Sequence, residues 1–315
     1  MCNLFEKMSY YSETAAERQF REARPIVHLC TKPLEADFFF KDDAERTLAL
    51  NYVAIARANS GCRILALAIM TNHFHFILEA EDWQVAAFWN SFRRLLELYL
   101  DRHGRPRIMD GIDVTVVRIN NLYQLRTEIA YVIRNAFVVR TDVHVFADPW
   151  SSGSLYFNPL LEKSGVPAST LKGRALRAFT CTRSITELDA GIYVKDGRAQ
   201  MWSFVDYKYT EGFFDNARQF VHSVLKNVEA QVETAKRYGE KPCLSDEELV
   251  PLVYKRCREF YKQADIANLD TTDRKELAVW LKNEYAASNK QISRQTKLSQ
   301  REVDDLFPLA APSRG

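Results

Sequence analysis

Three observations predict an α+β fold: a mainly antiparallel sheet with flanking helices, followed by a C-terminal all-helical module. Over the first half, short β-type runs alternate with stretches of helical spacing in the order β-α-β-β-α-β-α. A two-residue polar break, Thr71-Asn72, joins two of the apolar runs as a hairpin. Beyond residue 268, three helix starts follow one another without an intervening strand.

Residues 1–24 are polar with little periodicity and read as a weakly ordered lead-in. Pro25 to Cys30 reads as the first strand, bounded by Pro25 and the Lys32-Pro33 break. Asp42 with Glu45 marks a helix start, and Leu48, Leu50, Val53, Ile55 and Ala58 carry that helix to about Asn59. The hairpin runs Arg63 to Met70 and Phe74 to Leu78, and the next helix from Asp82 to about Tyr99, ended by Gly104-Arg105-Pro106. Val114 to Val117 is a further strand and Leu122 to about Val139 a further helix; this core, residues 25–158, closes near Phe157. Residues 159–267 read as a mixed connecting region: a hairpin over Ile192 to Phe204 turning at Asp196-Gly197, a helix from about Glu211 to Arg237, and another opening at Ser245 with Glu248. Residues 268–307 hold the three starts, at Asp273 with Glu276, Ser288 with Gln291, and Ser299 with Glu302.

The balance of charge narrows the function classes. With 43 Lys and Arg against 41 Asp and Glu, the chain cannot coat a polyanion by bulk positive charge. Residues 1–158 alone hold 18 basic and 19 acidic side chains, so any nucleic-acid contact must be local. No apolar run approaches the ~18 residues of a membrane span, and the first residues lack a secretory pattern, so a cytoplasmic protein with no membrane partner is expected. The six cysteines form no C-x-x-C pair, and glycine-rich nucleotide signatures and the Gly-x-Ser-x-Gly elbow are missing.

The most informative triplet is His73-Phe74-His75. On a strand, residues two apart share a face, so two imidazoles stand side by side while Phe74 enters the core opposite. Such a pair offers two donors to a divalent metal or, more plainly, two solvated or locally bonded histidines. On the helix around Tyr131, residues Leu125, Ile129, Val132 and Ala136 form a core stripe, and Tyr131 and Asn135, four apart, share its edge. That edge can bring a phenol and an amide beside the sheet, or be an ordinary boundary pair. Tyr123 and Tyr99 are competing tyrosines without such a partner. His28, His103, His144 and His222 have no such context and read as structural or solvated.

Met70-Thr71-Asn72-His73-Phe74-His75-Phe76-Ile77-Leu78 resembles the Met-Pro-Asn-His-hydrophobic-His motif of single-tyrosine HUH transposases, the insertion-sequence-200-like group, and most closely the REP-associated tyrosine transposases. Tyr131-Val132-Ile133-Arg134-Asn135-Ala136 is similar to their Tyr-Ile-His-x-Asn-Pro motif, and Trp150-Ser151-Ser152 with Tyr156 to their Trp-Ser-Ser-aromatic motif. Thr71, Ile133 and Ala136 depart from the pattern without removing a nucleophile or ligand. The resemblance implies a ferredoxin-like HUH core and a metal-dependent DNA endonuclease and strand-transferase, acting in transposition and recombination. In it Tyr131 attacks a phosphodiester of single-stranded, hairpin-bearing DNA to give a 5′-phosphotyrosine. It further implies that His73 and His75, with Asn135 as a third contact, hold Mg²⁺ or Mn²⁺, and that the enzyme works as a homodimer.

For DNA contact, Arg93 and Arg94 followed by Arg102, Arg105 and Arg107 form the densest basic cluster of this half, with Trp83, Trp89 and Trp150 as stacking surfaces. Residues 290–303 resemble a helix-turn-helix in which Ile292, Leu298, Val303 and Leu306 form the core and Gln300 and Arg301 face duplex DNA. Two other readings fit the same residues: a non-catalytic DNA-binding regulator acting through the C-terminal helices, and a metal-dependent hydrolase without a covalent step.

Overall fold

The computed structural model describes residues 13–34, 39–105, 109, 112–135, 144–183, 185, 187–225, 228–242, 244–285 and 287–308. The chain runs α1 (Ala15–Glu22), β1 (Ile26–Thr31), α2 (Asp43–Ser60), β2 (Arg63–Ile69), β3 (Phe74–Glu79), α3 (Asp82–Arg102), β4 (Val114–Arg118) and α4 (Leu122–Arg134). The four strands form one antiparallel sheet in the order β2-β3-β1-β4, with Cys30 opposite His75 and Leu29 opposite Val116. Because β3 lies between β1 and β2 and runs antiparallel to each, the crossover through α2 keeps those two strands parallel.

Strand alternation sends neighbours to opposite layers. Phe74 and Phe76 meet Phe92 and Phe88 of α3, each pair with ring centroids 5.2 Å apart, and α2 packs beside α3. His28 and His75 point the other way, towards α4. Asp42 caps α2 through the Glu45 amide, and Gly61, at φ 66°, closes it in the left-handed region.

The Trp150-Ser151-Ser152 motif sutures the open edge of β2. A bulge between Ile64 and Ala66 turns the Leu65 carbonyl outward, where it accepts the Tyr156 hydroxyl at 2.5 Å. Ser152 Oγ accepts the Leu67 amide at 3.0 Å and bonds the same tyrosine, while the Trp150 carbonyl takes the Ile69 amide. An otherwise unpaired edge is thereby satisfied.

Then come β5 (Val166–Pro167), α5 (Gly173–Thr180), β6 (Tyr193–Lys195), β7 (Arg198–Ala199), helical turns at Met201–Phe204 and Tyr207–Glu211, α6 (Ala217–Leu225), α7 (Val228–Arg237), α8 (Asp246–Arg256), α9 (Thr271–Tyr285), α10 (Asn289–Thr296) and α11 (Gln300–Leu306). β6 and β7 join through Asp196 and Gly197, both at positive φ, as a two-residue hairpin requires.

The structure departs from the sequence reading in five places. The lead-in contains α1, which a Thr14-Glu17 capping box stabilises and whose Gln19 side chain donates to the Tyr209 carbonyl. The core does not close near Phe157: Phe179, Phe204, Phe213 and Phe220 belong to the same apolar cluster as the sheet. The helix expected from Glu211 to Arg237 is broken into pieces, because Gly212 and Asp215-Asn216 interrupt it and Asn216 Oδ1 accepts the Gln219 amide to restart it. α4 ends at Arg134, and the rest of the segment read as helix, 136–139, lies outside the described residues. Asp270, not Asp273, caps α9, accepting the Asp273 amide at 2.8 Å.

The C-terminal helices have a separate core of Leu249, Val253, Leu277, Leu281, Ile292, Leu298 and Val303. Ser288-Gln291 and Ser299-Glu302 form capping boxes, and Lys297, in the left-handed region, makes the turn between α10 and α11. Among the described residues no helix is long and apolar enough to cross a membrane.

Candidate active site

β1, β3 and α4 bring their polar residues together on the face of the sheet opposite the phenylalanine layer. The rings of His73 and His75 lie 4.9 Å apart, and those of His75 and Tyr131 5.6 Å apart. Asn72 holds both the hairpin and the first imidazole: its Nδ2 donates to the Leu34 carbonyl, and its Oδ1 accepts Nδ1–H of His73 at 2.8 Å. Nε2 of His73 is thereby left to carry the lone pair.

The second imidazole is set by a buried relay. Glu128 accepts the Arg237 guanidinium on Oε1, and its Oε2 accepts Nδ1–H of His28 at 2.8 Å. In the tautomer in which His28 donates from Nδ1 to Glu128 and keeps its lone pair on Nε2, that Nε2 accepts Nδ1–H of His75 at 3.0 Å. His75 Nε2 is left as a lone-pair donor atom, buried and without a hydrogen-bond partner.

What faces that nitrogen is Glu240, just beyond α7. Its Oε1 stands 3.6 Å from His75 Nε2, too far for a hydrogen bond, and is itself buried without a partner. Its Oε2 accepts a hydrogen bond from the Tyr131 hydroxyl. Donor atoms of His73, His75 and Glu240 all lie within 4.8 Å of one another. Two unpaired acceptors facing each other, with a third donor nitrogen beside them, is the arrangement a divalent cation satisfies, so the residues fit a metal ion. His28, Cys30 and His75 also cluster, but the first and last spend their facing nitrogens on each other.

Burial dominates the electrostatics. It pushes His73 down to about 4 and His75 well below its ordinary value, with the other imidazoles adding to the second shift. It raises the Glu240 carboxyl to about 7 and the Tyr131 phenol well above 10, where the Glu240 charge adds. Neutral imidazoles are the form that binds metals.

No protein-family model and no curated protein matches the chain. Its structure is similar to that of a REP-associated tyrosine transposase bound to a REP hairpin, with a TM-score of 0.31 and 12% identity, over 41% of this chain and 76% of that one. A likeness of that size carries no residue role or activity across.

Of the residues singled out from sequence, the fold gathers His73, His75, Tyr131 and Asn135. Asn135 sits at the end of α4 with its Nδ2 on the Tyr131 carbonyl, and its amide interacts with His73 and the Tyr131 hydroxyl. Arg93 and Arg94 lie on α3, in the layer across the sheet; Arg93 pairs with Glu97, and Arg94 is exposed. Arg102 donates to the Cys181 carbonyl. Arg105, read as a phosphate contact, is instead committed to Glu45 and the Phe39 carbonyl, its side chain 11% exposed, because the loop after α3 folds back on α2. Arg107 lies outside the described residues. Trp83 is exposed, and Trp150 is buried between the guanidinium groups of Arg46 and Arg198. Gln300 and Arg301 are exposed at the start of α11, Gln300 donating to Asp304.

Sequence reading missed His28, Glu128, Tyr238 and Glu240. His28 is not solvated; it is fully buried between Glu128 and His75, with the Tyr238 ring 4.5 Å away. A signal existed for it alone: on a strand, His28 and Cys30 share one face, and a buried imidazole needs a partner. Glu240 carries no local signal at all.

Proposed function

We propose that the chain is a single-tyrosine DNA strand-transferase that cuts and rejoins single-stranded, hairpin-bearing DNA. The observation that carries the reading is the gathering of Tyr131, His73 and His75 on one sheet face, the rings of His75 and Tyr131 5.6 Å apart, with each imidazole engaged through its Nδ1. Tyr131 is the nucleophile: its oxygen bonds phosphorus, the bond to the 3′ oxygen breaks, and the proton lost by the phenol is balanced by one gained at the 3′ hydroxyl. His73, His75 and the Asn135 amide oxygen would hold Mg²⁺ or Mn²⁺, which when bound would supply Lewis-acid polarisation of the scissile phosphate. Asn135 spends Nδ2 on the Tyr131 carbonyl, so Oδ1 is the atom it would offer to an ion. Tyr131 is only 6% exposed, so the phosphate reaches it once Glu240 and Tyr238 give way.

Arg94 and Arg301 have no carboxylate partner among the described residues and supply phosphate contacts, the first to the hairpin and the second, with Gln300, to flanking duplex. α10 and α11 act in this reading as the target-recognition unit. The experiment is incubation with a single-stranded hairpin oligonucleotide and Mn²⁺. A covalent protein–DNA adduct is expected, absent in Tyr131→Phe and reduced at least a hundredfold in His73→Ala. An adduct that persists in Tyr131→Phe overturns the nucleophile, and turnover without any adduct favours a hydrolase.

A further inference from the structure

We infer that Glu240 is a protein ligand of the divalent ion, so that metal binding fastens residues 228–240 over Tyr131. The inference rests on the metal reading above and adds a donor from outside the sheet-and-helix unit that carries the other residues.

Three independent contacts bring the segment to the site. Arg237 pairs with Glu128 at 2.9 Å, Tyr238 donates to the same carboxylate at 3.1 Å, and Ala235 and Tyr238 pack on Cys30 and Tyr131. They deliver Glu240 with its Oε2 on the phenol and its Oε1 towards His75 Nε2.

The relay decides what belongs between them. Glu128 and His28 orient His75 so that a lone pair, not a proton, faces Glu240 Oε1. A lone pair opposite an unpaired carboxylate oxygen at 3.6 Å, both buried, is unfavourable unless something positive joins them. A cation that also took the lone pair of His73 Nε2 would have two nitrogens and the Glu240 oxygen beside the Asn135 amide oxygen, a donor set suited to Mn²⁺ and compatible with open positions for a substrate phosphate. The Glu240 carboxylate stands on the phenol, where a phosphate must bind, so substrate would have to displace it.

Glu240→Gln tests this with the full chain, since the amide keeps the volume and can donate to His75 Nε2. Mn²⁺ affinity is read by calorimetry, and amide hydrogen exchange of residues 228–240 is followed with and without the ion. The wild type is expected to bind Mn²⁺ and to slow exchange in that segment. Glu240→Gln is expected to bind at least tenfold more weakly with no slowing, while its metal-free unfolding midpoint stays at the wild-type value. Glu240→Asp, which retains a shorter carboxylate, is expected to fall between the two. Wild-type affinity in Glu240→Gln together with loss in His73→Ala overturns the Glu240 assignment and leaves the histidine site standing. Failure of the wild type to bind Mn²⁺ overturns both.

Discussion

The Nε2 of His28 lies 3.0 Å from the Nδ1 of His75, and this contact fixes which nitrogen of His75 carries a lone pair into the site. A histidine on β1 thus sets the lone pair of the one whose ring stands 5.6 Å from that of Tyr131. His28→Ala is expected to weaken Mn²⁺ binding about 10- to 100-fold, as loss of an outer partner does, and to cost about 2 kcal/mol for the unpaired groups left buried. Metal titration and urea unfolding check the two effects separately.

Arg134 anchors α4, the helix that carries Tyr131. Its guanidinium bonds both oxygens of Glu248 and the Val224 carbonyl in a buried setting, tying α4 to the start of α8 and to α6. Arg134→Met is expected to destabilise by about 3–5 kcal/mol because Glu248 is left behind, with much of the loss recovered in the double variant with Glu248→Leu. Urea midpoints of the three variants test this, and a cost in the double variant equal to that in the single one would show the pair itself to be stabilising.

Tyr156→Phe deletes one of the two hydroxyls that donate to the bulged Leu65 carbonyl, Thr210 supplying the other, and a partner of Ser152 Oγ. A loss of about 1 kcal/mol is expected, with hydrogen exchange rising along β2 before the rest of the sheet. Uniform exchange across all four strands would contradict the edge role.

Arg105 and Arg94 should separate structure from DNA contact. Arg105→Ala breaks the ion pair with Glu45 and is expected to lower stability by about 3 kcal/mol without changing the salt dependence of DNA binding. Arg94→Ala should leave stability unchanged and reduce the slope of log affinity against log salt by about 0.7 to 1. Fluorescence anisotropy over a salt series distinguishes them.

Cys30 reports on the cover over Tyr131. Burial pushes its thiol up, and it packs beneath Ala235 and Tyr238. Alkylation at neutral pH should spare it in the free protein and modify it when hairpin DNA displaces residues 228–240, with mass spectrometry of the β1 peptide as readout. Protection that persists in saturating DNA would mean the segment stays in place.

Much of the fold was legible because its signals are local. The two-residue period of β-strands alone sends His73 and His75 to one face and Phe74 to the other, and the side-chain caps at Asp42, Ser245, Ser288 and Ser299 read directly as helix starts. Helix periodicity likewise put Tyr131 and Asn135 on one edge. What the chain alone could not reveal is which distant groups meet those residues. Glu240 lies more than a hundred positions from Tyr131, Arg105 in a loop turns inward to Glu45, and His28 acquires meaning only when β1 pairs with β3. Pairing and burial are properties of the assembled layers: no spacing rule encodes them, since a buried charge or lone pair finds its partner wherever the tertiary structure brings one within about 3 Å.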